Sequence, residues 1–290
     1  MKVYGFSFIR NALQLDYPIK EALLSILPLC DKIFVAVGQS DDDTEAYVRN
    51  IDSEKIVVIP TIWDDTLRTG GRVLAVETDK AYAAIPDDAD WCIYIQGDEV
   101  LHENGHQPLK EQMQRWKDYA SVDGLLCNYL HFYGSYDYVG ESFRWYRREI
   151  RVVRKREDIF SYKDAQGFRK GTNKKLRVKH SGATMHHYGW VRDPRKQKLK
   201  LDIQGRFWHS DEDLAARHVA ADTFDYGDVD ALSLFKGSHP KVMQERIQRL
   251  NWQFTHDLSR NRFTAKEKFQ RWFERLTGYR LWEYKNYELV

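Results

Sequence analysis

The sequence predicts an α/β protein: a mostly parallel sheet flanked by helices, followed by a helical C-terminal extension. Three observations predict it. Short β-branched runs alternate with helix-spaced segments through the first hundred residues, which is the pattern of βαβ units. Each apolar run is the size of one strand or one helix, and none reaches the ~18 residues of a membrane span. Near the C-terminus a capping box precedes apolar residues at helical spacing.

The elements follow in order. Val3–Ile9 is a short apolar run of strand type. Pro18 opens a helix in which Ile19, Leu23, Ile26 and Leu27 share one face. The run 32–37 (KIFVAV) is a buried strand, 44–51 a short helix, and 56–59 a further strand. After Gly70 and Gly71, residues 72–85 form a helix with Val73, Leu74, Glu77, Ala81 and Ile85 in register. Pro86, Asp87 and Asp88 make a turn, and 91–95 (WCIYI) is a fourth buried strand. Later, 125–133 and 149–153 read as strands. Ser210 with Asp213 marks a helix start. Thr264 and Glu267 make the capping box of a last helix that carries Phe269, Trp272, Phe273 and Leu276 and ends at Gly278. The predicted division is a catalytic domain over 1–205 and a helical extension over 206–290 packed on it.

Composition narrows the function. Forty-two per cent of the chain is hydrophobic and 14% aromatic, which argues against disorder. The 45 Lys and Arg nearly cancel 43 Asp and Glu, so there is no overall nucleic-acid footprint. The balance hides a division: residues 1–143 carry 12 basic and 24 acidic side chains, and residues 144–290 carry 33 and 19. Three well-separated cysteines, Cys30, Cys92 and Cys127, read as buried thiols of a reducing compartment. The N-terminus has no signal-peptide pattern. The expected location is cytoplasmic. There is no GxGxxG, P-loop, GxSxG or CxxC spacing.

The most informative segment is the run from Trp91 into Gln96-Gly97-Asp98-Glu99. Open α/β sheets bind ligands outside the carboxyl ends of their strands. Two carboxylates delivered there by a rigid strand can hold a divalent cation, and the cation a diphosphate. A second acidic turn, Ser40-Asp41-Asp42-Asp43-Thr44, ends the second strand. Its side chains can meet a nucleotide, and they equally suit capping of the helix that follows.

With these residues in place the chain resembles the family 2-like glycosyltransferases of the GT-A fold, bacterial type. Four pieces carry the resemblance over roughly residues 1–200: Phe8-Ile9-Arg10-Asn11; the Ser-x-Asp-x-Thr of Ser40 to Thr44; Gln96-Gly97-Asp98-Glu99, like the family's Asp-x-Asp-Glu; and His186-His187-Tyr188-Gly189-Trp190-Val191-Arg192, like the His-Tyr-Gly segment of a bacterial subset. Gly38 and Gln96 depart from it, standing near positions where the family has an Asp for the base and an Asp for the ribose. The resemblance implies a Rossmann-related GT-A fold and a nucleotide site built from Phe8, Arg10, Asn11, Ser40, Asp42, Arg72, Gln96 and Asp98. It implies a divalent cation, Mn2+ or Mg2+, held by Asp98, Glu99 and His187. The implied activity is metal-dependent, inverting transfer of a sugar from a nucleotide-sugar donor to a glycan or lipid-linked acceptor in cell-surface polysaccharide synthesis.

Such transfer needs a general base for the acceptor hydroxyl. Asp164 is the first candidate, with Glu149 and Glu141 as alternatives. The apolar stripe of the last helix, flanked by Lys266, Lys268, Arg271 and Arg275, fits a core-facing helix; it also fits an interfacial one that would bring the protein to the inner face of a membrane. Two other functions stay open at this point: a nucleotidyltransferase on a similar sheet, and a non-catalytic glycan- or lipid-binding protein.

Overall fold

The computed structural model describes residues 1–51, 53–210, 212–214 and 221–290. Its first half is a series of βα units: β1 (Val3–Ile9), α1 (Ile19–Ile26), β2 (Lys32–Gly38), α2 (Thr44–Arg49), β3 (Ile56–Thr61), α3 (Arg72–Ala83) and β4 (Trp91–Tyr94). The strands stand in the order β3-β2-β1-β4, and all are parallel. β1, β2 and β4 are buried on both faces and the edge strand β3 is half-buried, so side-chain alternation sends each residue toward one of two cores. From β2, Ile33, Val35 and Val37 join Ile19, Leu23 and Ile26 of α1. Phe34 and Ala36 join Val73, Leu74 and Tyr82 of α3 on the other face. β4 divides in the same way, with Trp91 and Ile93 on the first face and Cys92 and Tyr94 on the second. Each such Leu, Ile or Phe stabilises by about 1.5–3 kcal/mol relative to an exposed position.

Beyond β4 come β5 (Glu99–Leu101), α4 (His106–Trp116), β6 (Gly124–Tyr133), β7 (Tyr138–Gly140) and β8 (Arg148–Val153). β8 inserts antiparallel between β4 and β6. β9 (Ile159–Tyr162), β10 (Gly167–Lys170) and β11 (Lys174–Lys175) form a separate small sheet. The 14-residue β12 (Arg177–Trp190) then runs parallel to β6 and antiparallel to β5, with His187 opposite Glu99. That register brings His187 beside the acidic turn, and the Tyr188 N–H donates to the Asp98 carbonyl at 2.8 Å. α5 (Pro194–Gly205) follows at once; Asp193 caps it by accepting from Arg195 N–H, and Pro194 occupies its first turn.

The segment 206–290 is less regular than its sequence suggests. Ser210 Oγ accepts from Asp213 N–H, as a helix start should; residues 211 and 215–220 lie outside the described residues. Two short strands, β13 (Leu232–Leu234) and β14 (Glu288–Leu289), pair with β7 and β12. A short helix, α6 (Gln244–Gln248), precedes the last helix, α7 (Ala265–Thr277). In α7 the capping box at Thr264 and Glu267 and a left-handed Gly278 stand as the sequence indicates.

The face that α7 buries corrects the core-facing expectation. Phe269, Trp272 and Leu276 are 48, 56 and 66% exposed. The helix docks instead through Gln270, Arg271 and Glu274. Gln270 Nε2 donates to the Leu281 carbonyl at 2.7 Å, Arg271 pairs with Glu141, and Glu274 pairs with Arg147. Docking through hydrogen bonds and ion pairs turns the apolar stripe outward. Among the described residues, no helix is long and apolar enough to cross a membrane. The three cysteines are free and buried.

Candidate active site

The carboxyl ends of β1 and β4 open into a cavity of 190 Å³. Phe8 and Arg10 come from the end of β1. Gln96, Gly97 and Asp98 follow β4. His187 reaches in from β12, and Lys200 and Gln204 from α5. Asp164 stands on the turn between β9 and β10.

Asp98 is 8% exposed, and its two oxygens have different surroundings. Oδ2 meets Lys200 Nζ at 3.2 Å, and the same ammonium donates to the Gly189 carbonyl at 3.0 Å. Oδ1 faces His187 Nε2 at 3.8 Å, too far for a hydrogen bond. Burial alone would raise the Asp98 pKa; the positive charge around it, Lys200 foremost, outweighs burial and holds the carboxyl well below its ordinary range. Burial, with Arg192, pushes the Lys200 ammonium down to about 8 against the pull of Asp98. His187 is pushed down by burial despite Asp98 and Glu99, which favours its neutral ring. Gly189 permits this approach. A Cβ there would lie 2.5 Å from the His187 ring and 3.0 Å from Asp98 Oδ2.

Glu99 does not share the cavity. Arg151 grips both of its oxygens, Nε to Oε2 at 2.8 Å and Nη2 to Oε1 at 2.7 Å, and Tyr129 donates to Oε1 at 2.7 Å. Both partners of the pair are fully buried. The expectation that Glu99 is a metal ligand is therefore corrected: its lone pairs are engaged, and it braces the turn that presents Asp98.

The second acidic turn also turns inward. Ser40 Oγ accepts from Asn11 N–H at 3.0 Å, and the Asn11 side chain donates to Asp41 Oδ2 at 2.9 Å and accepts from Asp41 N–H at 2.8 Å. Asp42 accepts from Gln14 N–H at 2.7 Å and from Thr44 N–H at 3.0 Å. Asn11, Ser40 and Asp42 thus tie the ends of β1 and β2 together and do not line the cavity. Arg72 is exposed at the start of α3 and does not line it either. Gln96 does: its Nε2 donates to the Ala165 carbonyl at 3.1 Å, fastening the turn that carries Asp164.

Burial raises the Asp164 pKa, which suits a proton acceptor. Glu149 lies elsewhere, in a cavity of 610 Å³ lined by Trp145, Tyr146, Trp282 and Tyr284. Burial raises its pKa to about 7, against the lowering effect of Arg151 and the Ile150 N–H. A raised carboxyl pKa means that the unfolded chain releases this proton at lower pH than the native protein. Stability is therefore lost as pH rises from about 4.5 to about 7, by ~3 kcal/mol in total. Glu149→Gln should be more stable than the parent at pH 8 and nearly equal to it at pH 4.5. Urea denaturation at the two pH values checks this, and equal offsets at both would refute it.

Several site residues had little sequence signal. Trp63, in the loop after β3, is buried against Phe8, Phe207 and the Arg10 guanidinium. It explains Gly38, since a Cβ at 38 would meet the Trp63 indole at 2.3 Å. Tyr17 lies beneath Arg192 and Lys200, 4.6 and 5.1 Å from its ring centre. His186 faces away from His187, as alternation requires, and packs with Phe132 and Phe235. The stretch His102-Glu103-Asn104-Gly105-His106 has the spacing that holds zinc on a continuous helix. Here a 3-10 turn over Glu103–Gly105 breaks it. His102 meets Ser238 at 3.0 Å, whereas His106 meets the Ser25 carbonyl at 2.7 Å.

Among the described residues, no group of three or more His, Cys, Asp or Glu side chains is placed to hold a metal. A pair is present. Asp98 Oδ1 and His187 Nε2 face each other with no hydrogen bond between them. Small divalent ions commonly take one or two protein ligands and complete their shell with substrate phosphates and water. Such an ion, if bound here, would have Asp98 and His187 as its protein ligands.

No family model matches the chain, and no curated protein matches its sequence. Its fold is similar to those of solved structures. Staphylococcus aureus TarS 1-349 in complex with UDP is 12% identical, with a TM-score of 0.38 over 70% of this chain and 64% of that one. A longer S. aureus TarS structure is 13% identical, with a TM-score of 0.36 over 70% and 39%. Mycobacterium tuberculosis glucosyl-3-phosphoglycerate synthase, in complex with Mn2+, UDP and phosphoglyceric acid, is 19% identical, with a TM-score of 0.29 over 45% and 43%. The chain spans less than two thirds of the length of each of these structures.

Proposed function

We propose that this chain is a glycosyltransferase that takes a sugar from a nucleoside-diphosphate donor, with the catalytic machinery in residues 1–205 and residues 206–290 as an extension packed on it. The observation that carries the reading is the cavity at the ends of β1 and β4. It gathers an open carboxylate oxygen, a neutral imidazole, a buried ammonium and a second carboxylate around one space.

Each group has a task. The aromatic wall of Phe8 and Trp63 suits a nucleobase. Two cations, Lys200 and the buried Arg192, act on a single carboxylate, Asp98, and so leave positive charge to meet a diphosphate. Asp98 and His187 would hold Mn2+ or Mg2+, which supplies further positive charge to the leaving group when bound. Asp164 takes the proton of the acceptor hydroxyl. The acceptor oxygen forms its bond to the anomeric carbon as the bond to the diphosphate oxygen breaks, and the electron pair leaves on that oxygen. One such displacement inverts the anomeric centre.

A nucleoside diphosphate that fills the cavity must raise the melting temperature, because it binds the native state alone. A thermal-shift screen of UDP, GDP, CDP, ADP and dTDP with Mn2+ tests the reading. At least one should raise the midpoint, and a panel with no shift would contradict it.

The acceptor is proposed to be a glycan or a lipid-linked saccharide in cell-surface polysaccharide synthesis. Support for the lipid-linked form comes from the exposed Phe269, Trp272 and Leu276 beside Lys266, Lys268 and Arg275, the composition of an interfacial helix. The protein should co-sediment with vesicles containing phosphatidylglycerol, and Phe269→Ser/Trp272→Ser should abolish this. Equal sedimentation of parent and variant would exclude α7 as the contact.

A further inference from the structure

We infer that His131, which lines no part of the proposed donor cavity, is a positioning residue that fixes the tautomer of His187 and so makes His187 Nε2 a metal-ligating lone pair. This rests on the cation assigned above to Asp98 and His187.

The chain of contacts leaves little freedom. His131 stands on β6 beside His187 on β12, in direct register. Its Nε2 lies 2.8 Å from the Tyr146 carbonyl oxygen. A carbonyl can only accept, so this nitrogen carries the hydrogen. A neutral imidazole has one N–H, which leaves His131 Nδ1 as an acceptor. Facing it at 3.2 Å is His187 Nδ1, which must then donate. The neutral His187 ring has no second hydrogen, so Nε2 presents a bare lone pair. Nε2 stands 3.8 Å from Asp98 Oδ1.

Two acceptors facing each other across such a gap are unfavourable unless something positive joins them. A divalent ion does this, and the outer hydrogen bond on a metal-binding histidine commonly sets its orientation and basicity. The rest of the shell holds the geometry. His131 is buried and packed by the rings of Tyr129, Trp145 and Tyr146 at 5.5, 5.2 and 4.4 Å. Tyr146 thereby packs the His131 ring while its carbonyl sets the direction of the hydrogen. On the opposite side Lys200 occupies Asp98 Oδ2, so Oδ1 is the oxygen left to the ion.

Two variants separate this role from simple packing. His131→Asn keeps an acceptor at the Nδ1 position. His131→Phe keeps the ring volume among its aromatic neighbours and removes the acceptor. The first readout is the ¹⁵N shift of His187 in metal-free protein by long-range ¹H–¹⁵N correlation. Parent and His131→Asn should show Nε2 unprotonated and Nδ1 protonated, whereas His131→Phe should show loss of that single tautomer. The second is Mn2+ affinity by electron paramagnetic resonance, with UDP present. It should fall about 10–100-fold in His131→Phe and within about threefold of the parent in His131→Asn. A protonated Nε2 in the parent, or an unchanged tautomer in a folded His131→Phe, overturns the assignment of His131. Failure of the parent to bind Mn2+ overturns the cation site instead, and the ¹⁵N spectrum still decides the role of His131.

Discussion

Arg151→Met is expected to destabilise the protein by about 3–5 kcal/mol, the cost of leaving one partner of a buried ion pair uncompensated. Arg151 and Glu99 are both fully buried. Besides Arg151, Glu99 keeps the Tyr129 hydroxyl and the Gln96 N–H, neither of which brings a full charge. Arg151 also donates to the carbonyls of Ile150 and Gln166, so its loss frees two further acceptors. For a chain of this size the melting temperature should fall by roughly 10 °C. The double variant Arg151→Met/Glu99→Gln should recover most of the loss, because it removes the orphaned charge. Urea denaturation of the four proteins closes the cycle. A single-variant cost below ~1 kcal/mol would mean that Glu99 finds another partner, and the brace beneath Asp98 would have to be redrawn.

The second large effect is on activity. Asp98→Asn should slow release of nucleoside diphosphate from the donor by ~10²–10³-fold, the range seen when one preorganised electrostatic group is removed from a reaction centre. Asn nearly preserves the shape of Asp98 but removes the charge that anchors Lys200 and would bind the ion. Stability should change much less than rate, since Lys200 retains the Gly189 carbonyl. The loss should therefore appear in kcat/KM with the protein still folded. Undiminished turnover would remove Asp98 from the site.

The central strands were legible because each repeats one physical pattern. β1, β2 and β4 are short apolar runs buried on two faces, and α1 and α3 carry their apolar residues at helical spacing. The place of Asp98 in the cavity was legible for a related reason, since an acid directly after so apolar a strand falls at the carboxyl end of the sheet. What escaped depends on partners distant in the chain. Glu99 has the same local signature as Asp98, and only an arginine 52 positions later converts it into a brace. Lys200 sits in a helix whose apolar side chains, Leu199, Leu201 and Ile203, follow no helical spacing, so nothing in its pattern marks 197, 200 and 204 as the inward face. Trp63 lies in a loop with no periodicity at all. In α7 the pattern misled in the opposite direction: the apolar stripe is real, but ion pairs to Arg147 and Glu141 turn the other face inward.

A crystal structure of the wild-type protein grown with MnCl2 and the nucleoside diphosphate that gives the largest thermal shift, with manganese located by anomalous scattering, tests the central assignment most directly. The predicted result is one manganese bonded to Asp98 Oδ1 and His187 Nε2, with the diphosphate completing its shell, the base beside Trp63 and Glu99 still on Arg151. Manganese bound away from Asp98, or a nucleotide seated outside the cavity at the ends of β1 and β4, would contradict it.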